Sequence, residues 1–564
     1  MSGLSQGLLV CIAAALLAAG ARPMARQGTV PNGFMLYFCA PGVDPGEPGD
    51  DQGPPREVRR QFTERTGCNV GEFSISWRDT EPSDPGDGAS SYDFSGVRPA
   101  ERALRQEHVI CHLHYYRSRW AGKYRFADTP RYNRHLERWA EAACRFAREK
   151  FGASIFEAEG NERDLVDPNT YRPHYADWHF FYMDPIKAIH RGMKRAHAEN
   201  RLIIGNLCYS DRDHISALYD AGAKGSFEIL AIHAYGKRGC HVDMEQVIES
   251  HQEMAYRGDP DIPIIVTEGW SSLPIPEGLD KDPSWRQAGR EYTPREIEHY
   301  RQAVLDGWRN LVTPRPGYYD PSWLCGARYF VLNDHWGGRG WAQRARPDYD
   351  EDGKLKGFRL DGYWIGTSDP NFIKPFLRPW GLIDINGEAK GDTIYAFPPY
   401  IPRHRFVARL DEELPTVGYR PGRPALTCAE VVADRVYHAA VEFTNLEDAP
   451  MTQCHFRLSE KNMADFPGGY GFAFAGGVLD VFTDGEAQRS VTAKLTSGPP
   501  PRNIGPGETV RLAYDITFSP KLAATKDDGT RKRVRPYADL YYVWEGRPYH
   551  TDAWLPRVAV RAGD

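Results

Sequence analysis

Two glutamates stand where this chain could do chemistry. Glu162 closes the segment Phe156-Glu157-Ala158-Glu159-Gly160-Asn161-Glu162, and Glu268 lies near the end of Ile262-Pro263-Ile264-Ile265-Val266-Thr267-Glu268-Gly269-Trp270. Each is reached by an apolar, strand-like run that gives way to polar residues. Two carboxyl groups about 5 Å apart can cleave a glycosidic bond with retention, one as acid and base, the other as nucleophile. One must hold its proton near neutral pH while the other is ionised, and surroundings set that split. Glu157 and Glu159 crowd the first segment, so Glu159 is the next choice for the acid.

The elements that would position such a pair are legible in the pattern. Strand-like runs fall at Gly33–Phe38, Val70–Trp77, His108–His114, the Glu162 segment, Arg201–Gly205, Glu228–Tyr235, Ile262–Thr267 and Ala327–Leu332. The continuous β-branched run Ile264–Val266 fits a strand covered on both faces. Helical segments are expected at Val97–Glu107, at Tyr132–Lys150 with Gly152 as its stop, and at Met244–Tyr256. Two more open at Asp184-Pro185 and at the capping box Thr293-Pro294-Arg295-Glu296. Alternation of strand and helix argues a parallel sheet, and eight repeats argue closure into an α/β (β/α)₈ TIM barrel. Chemistry in that fold sits at the C-terminal ends of the strands. Glu162 and Glu268 would end strands four and seven, which can face each other across the mouth. The long loop Asn333–Trp380 would lie on the same face. After Pro398-Pro399 short β-like runs alternate with Gly/Pro turns, which reads as an all-β sandwich. The expected organisation is a signal peptide over 1–21, a catalytic barrel over 32–400 and a β-sandwich over 403–564.

Composition narrows the function class. The 564 residues are 41% hydrophobic and 26% charged, with net charge −6 and no basic block, which argues against nucleic-acid binding. The 14 Trp and 30 Tyr serve a core, and also offer faces on which sugar rings stack. The apolar run Leu8–Ala19 before Ala19-Gly20-Ala21 has the length of a signal-peptide core, so a secreted or periplasmic location is expected, although its flank carries no Lys or Arg. No later run is apolar and long enough to span a membrane. None of the ten cysteines forms a C-x-x-C pair, and Cys428 with Cys454 leaves a disulfide or two separate thiols open. Asp348–Gly353 begins like a calcium loop, but position twelve is Arg359 instead of Glu, so an acidic surface turn is expected.

With these residues in place the sequence resembles the clan A glycoside hydrolases, in which an Asn-Glu pair closes strand four and a lone Glu closes strand seven. Asn161-Glu162 and Thr267-Glu268-Gly269-Trp270 match. The resemblance implies Glu162 as acid/base, Glu268 as nucleophile and Asn161 on the hydroxyl next to the reacting carbon. Tyr235 matches the strand-six residue that orients the nucleophile. His114 matches a strand-three sugar contact and Trp336 a strand-eight platform. His233, Trp270 and Arg78 complete the expected substrate-binding set, with Arg78 either touching the nucleophile or pairing with Asp79. Gly381–Lys390 looks like the segment that closes the barrel. The clan usually has Pro where Arg163 stands. The expectation is a retaining O-glycoside hydrolase acting on oligo- or polysaccharide, needing no organic cofactor and no metal. A non-catalytic carbohydrate-binding protein on a decayed barrel, or a transglycosylase using the same residues, is the alternative.

Overall fold

The computed structural model describes residues 28–39, 64–86, 91–115, 119–158, 182–207, 212–235, 242–270, 294–330, 335–337, 345–349, 355–360, 363–364, 376–378, 397–422, 426–460, 472–481, 490–527 and 529–563, with Val58, Gln61, Leu382, Ala389, Lys390 and Pro424. Residues 1–21, Glu159, Asn161, Glu162, Arg163 and most of Gly381–Lys390 lie outside this set, so the expectations placed on them have no structural counterpart here.

Eight parallel strands form one sheet: β1 (Met35–Cys39), β2 (Val70–Ser76), β3 (His108–His114), β4 (Ile155–Ala158), β5 (Arg201–Leu207), β6 (Ile229–His233), β7 (Ile264–Trp270) and β8 (Leu324–Phe330). Neighbours run β1-β8-β7-β6-β5-β4-β3-β2, so the chain order is kept around the ring. The seam between β1 and β2 is sewn by one residue. Asn69 Oδ1 accepts from Leu36 N–H at 2.8 Å, and its Nδ2 donates to the Phe34 carbonyl at 2.8 Å. Asn69 N–H donates to the Leu36 carbonyl at 3.0 Å. A side-chain amide thus stands in for part of the missing ladder. The ring is a nearly closed (β/α)₈ barrel.

The helices between the strands owe their ends to local chemistry. Over Thr129–Phe151, Asp128 accepts from Arg131 N–H, and Gly152 ends the helix at φ 72°. Its buried stripe is Tyr132, His135, Leu136, Trp139, Ala140, Ala143, Cys144 and Ala147, at helical spacing. The expected helix over Val97–Glu107 is one turn, Glu101–Leu104. Its sequence lacks a second apolar turn to bury, since Ala103 is its one buried residue. The helix opened by Asp184-Pro185 starts one residue early, with Met183 at the N-cap and no side-chain cap.

The barrel's inner face is graded along its axis. Met35, Ile110, Ile155, Ile203, Ile229 and Ile265 fill the end where the strands begin. Side chains two apart on a strand share a face. Two residues beyond Val70, Ile110, Ile155 and Ile265 stand Glu72, His112, Glu157 and Thr267. The interior therefore turns from apolar to charged and hydroxylic toward the C-terminal mouth.

Beyond the barrel the chain is β. After the short pairs formed by His335–Gly337 with Phe376–Arg378 and by Ala345–Tyr349 with Leu355–Leu360, mainly antiparallel sheets run from His404 to Arg561, with one parallel pair between Thr427–Val432 and Val558–Arg561. Of the Asp348–Gly353 stretch, Asp348 and Tyr349 pair with Gly357 and Leu355, and the other four residues lie outside the described residues. The largest sheets are four strands each and pack around Phe443, Ile504, Ile516, Phe518, Leu540 and Leu555. One 3₁₀ turn, Pro520–Leu522, is the helical element found among the described residues there. Cys428 and Cys454 are separate free thiols, in different clusters.

This sandwich is keyed to the barrel by buried charge. On the helix Pro294–Val312, Arg309 donates to the His550 carbonyl at 2.6 Å and pairs with Asp306 at 2.9 Å and Asp552 at 3.4 Å. Arg315 lies 3.7 Å from Asp552 and over the Trp554 ring. Glu245, on the helix Met244–Tyr256, meets Arg535 at 2.5 Å and also Arg557. Leu305 of the barrel sits in the sandwich core, and Trp554 of the sandwich in the barrel core.

Candidate active site

Glu268 is placed at the mouth by an irregular strand end. The pairing of β6 and β7 shifts register between Ile232 and His233, so that His233 stands opposite Glu268. Gly269 accommodates the shift with φ +110°, and a methyl added at its Cα would lie 2.4 Å from the Ala234 carbonyl carbon and oxygen. Only glycine fits there. Ala234 N–H donates to the Glu268 carbonyl at 2.9 Å, which locks the approach.

Two side chains at the end of β6 then meet the Glu268 carboxyl. Tyr235 Oη donates to Oε2 at 2.6 Å, and His233 Nδ1 lies 3.5 Å from the same oxygen. Tyr235 is held in turn by Gln246 Nε2, which donates to its carbonyl at 3.0 Å. His233 is 1% exposed, whereas the Glu268 side chain keeps 17%. The carboxyl is therefore fixed on one oxygen and reachable from the mouth.

Below it lies a connected polar layer. Arg328 of β8 is 3.8 Å from Glu72 of β2, and Glu72 Oε1 meets His112 Nε2 of β3 at 2.9 Å. His112 Nδ1 is 3.6 Å from Glu157 of β4, and Asn206 of β5 donates to Glu157 Oε1 at 2.8 Å. Thr267 Oγ1 of β7 donates to Asn206 Oδ1 at 2.7 Å. Burial works against the charged forms of Glu72, His112 and Glu157, and the neighbours overcome it. Burial alone would raise the Glu157 carboxyl, but the His112 charge and hydrogen bond, with Asn206, bring it down to about 2. Burial would likewise raise Glu72, yet Arg328 and His112 hold it below the ordinary value. Burial would lower His112, and Glu157 and Glu72 lift it well above 6.5. Both ring nitrogens then face carboxylates as donors, as an imidazolium requires. Two carboxylates against one imidazolium and one guanidinium leave the layer neutral.

The expected site residues divide. Glu268, Tyr235 and His233 come together. His114 stands at the C-terminal end of β3, level with Ser76 and half-buried. Arg78 is in the helical turn Trp77–Thr80 that follows β2, where Nε donates to Asp79 at 2.8 Å with the side chain about half exposed. Of its two expected partners, Asp79 is the one it meets. Trp270 is a correction. It is fully buried in the wall, stacked on Trp308 at 5.8 Å and on Phe397 at 5.3 Å, so its ring has no face for a sugar. The backbone of Trp336 pairs with Leu377, and its side chain lies outside the described residues. Asn161 and Glu162 lie outside them as well. The connected layer was not anticipated from the sequence as a unit. Its signal is the repeated apolar-x-polar step at Val70/Glu72, Ile110/His112, Ile155/Glu157 and Ile265/Thr267. Among the described residues, no group of three or more His, Cys, Asp or Glu side chains is arranged to hold a metal.

No family model and no curated protein matches the chain. Among solved structures it is similar to a monomeric β-xylosidase from Caulobacter crescentus CB15, at 12% identity and TM-score 0.38, over 75% of each chain. It is also similar to a thermostable mutant of a xylanase from Cellvibrio japonicus, at 11% identity and TM-score 0.38, over 65% of this chain and 96% of that one. An endo-β-1,4-mannanase from Thermotoga petrophila matches at 10% identity and TM-score 0.31, over 94% of this chain and 98% of the other. Superpositions this loose carry no argument, and the barrel rests on its own strand pairing.

Proposed function

We propose that the chain is a retaining O-glycoside hydrolase that cleaves oligo- or polysaccharide by double displacement. The observation that carries this reading is the Glu268 carboxyl at the C-terminal end of β7, gripped on one oxygen by Tyr235 at 2.6 Å and open on its mouth side. A carboxylate nucleophile needs that combination: one oxygen oriented, the other free to attack the anomeric carbon. Glu268 attacks and forms a glycosyl ester. Glu162, which follows β4 in sequence, gives its proton to the leaving oxygen and then takes one from water. Asn161 binds the neighbouring hydroxyl. His114 and His233, at the C-terminal ends of β3 and β6, are assigned to the sugar or to its nucleophile. The catalytic unit is the barrel, and the sandwich contributes no reacting group. The matching Asn161-Glu162 and Thr267-Glu268 pairs support the assignment to clan A.

The test is turnover of a panel of 4-nitrophenyl glycosides, pentosides and hexosides of both anomers, by the wild type and by Glu268→Gln. Release of nitrophenol by the wild type alone supports the reading. Undiminished release by Glu268→Gln overturns it, and binding of sugar by the wild type without release favours a non-catalytic binding protein.

A further inference from the structure

We infer that Asn206 is a positioning residue, a cross-barrel strut that fixes the nucleophile strand against the strand leading to the acid/base. The inference rests on the proposed glycosidase reading for its activity arm and on geometry for its other arm.

Three observations meet at this side chain. The first is its conformation. Pairing of β5 with β6 shifts register between Gly205 and Leu207, and Asn206 adopts φ 49°. A bulge of this kind re-aims a side chain out of the strand's alternation. A non-glycine residue there is strained, and strain of this sort persists where the surroundings hold it in place. The second is its contacts. The amide spends its donor on Glu157 of β4 at 2.8 Å and its acceptor on Thr267 of β7 at 2.7 Å. β4 and β7 are not neighbours in the sheet, so no ladder of backbone hydrogen bonds joins them. The third is what each end adjoins. Thr267 is the residue immediately before Glu268, and β4 continues in sequence toward Asn161-Glu162.

Burial makes the strut stiff. Glu157, Asn206 and Thr267 are all buried. The same Glu157 oxygen also lies 3.6 Å from His112 Nδ1, and His112 is itself tied to Glu72. The charged layer therefore acts as an anchor, and Asn206 transmits that anchor to the nucleophile strand. Catalytic groups need to be held within about 0.5 Å of their working geometry. A displacement of about 1 Å can cost on the order of 100-fold in rate. Asn206 acts through Thr267 and Glu157 and is assigned no contact with the sugar, so its loss should lower kcat and leave KM nearly unchanged.

The experiment uses the full chain and five variants, Asn206→Ala, Thr267→Val, the double Asn206→Ala/Thr267→Val, Thr267→Ser and Glu268→Gln, on an aryl glycoside that the wild type turns over. Thr267→Ser keeps the hydroxyl and should keep the rate. Asn206→Ala and Thr267→Val should lose about 100-fold in kcat with KM within about threefold. The double variant should be little worse than either single one, since both remove the same link. Wild-type kcat in a folded Asn206→Ala or Thr267→Val, with Glu268→Gln inactive, overturns the strut and leaves the glycosidase reading standing. Activity in Glu268→Gln overturns the glycosidase reading instead. The second arm needs no substrate: in crystals of Thr267→Val the Glu268 carboxyl should move by more than about 0.5 Å relative to β4, whereas an unmoved carboxyl would overturn the strut.

Discussion

Replacing Tyr235 with Phe removes one oxygen and leaves the ring. In the wild type that oxygen donates to Glu268 Oε2 at 2.6 Å. A hydrogen bond to a charged group contributes about 1.5–3 kcal/mol. His233 cannot replace it, because its nitrogen lies 3.5 Å from the same oxygen, beyond good hydrogen-bond range. If the bond serves to orient the attacking carboxylate, its loss falls on the transition state. At about 1.36 kcal/mol per tenfold, kcat should drop about 10- to 150-fold. KM should change little, since Tyr235 holds Glu268 more than the sugar. The assay is steady-state turnover of an aryl glycoside by both proteins, with thermal melting to check the fold. A Tyr235→Phe protein with wild-type kcat would refute the orienting role, and a selective rise in KM would make Tyr235 a sugar contact instead.

Three further outcomes follow from the same geometry. Trp270→Ala empties a fully buried site between Trp308 and Phe397 and should cost about 3–5 kcal/mol of stability in a denaturant titration, not a selective rise in KM. Glu157 is held at about 2 against an ordinary 4.5, so it adds roughly 3 kcal/mol that is present above pH 4.5 and lost as pH falls toward 2. His112 is raised, so its share is present below 6.5 and lost as pH rises through its folded value. The pair therefore supports the fold most between those limits, and Glu157→Gln should weaken the acid dependence in urea melts run across pH, leaving the share carried by Glu72. Asp552→Ala removes the carboxylate that Arg309 and Arg315 share at the barrel–sandwich contact, leaving Arg309 its Asp306 pair, and should destabilise by about 3–5 kcal/mol, read by calorimetry.

What the sequence disclosed, and what it hid, follows from how local each signal was. The run Ile264–Val266 and the alternation of strands with helices are properties of short windows, and the eight strands fall close to where those windows put them. Glu268 needed only the knowledge that barrel strands end at a common face, whereas Tyr235 is picked out by the resemblance to the clan A pattern. Asn206 was out of reach because its inward aim depends on a bulge, and nothing in Gly205-Asn206-Leu207 announces a φ of 49°. Trp270 misled for a related reason. Gly269 at φ +110° lies where the pairing of β7 with β8 shifts register, and the residue beyond it turns into the wall beside Trp308. The strand β2 stops at Ser76, which sends Arg78 onto a helical turn and toward Asp79. The ion pairs between Arg309 or Arg315 and Asp552 span more than two hundred residues and have no local signature.

The most direct measurement is to trap the covalent intermediate and locate it. Glu162→Ala, given an activated aryl glycoside, should release the aryl group and accumulate a glycosyl enzyme, because the base that activates water is gone. Peptide mass spectrometry should then find the sugar as an ester on Glu268, and added azide should discharge it as a glycosyl azide of retained configuration. A sugar attached to any other residue, or an unmodified protein that releases an inverted product, would contradict Glu268 as the nucleophile.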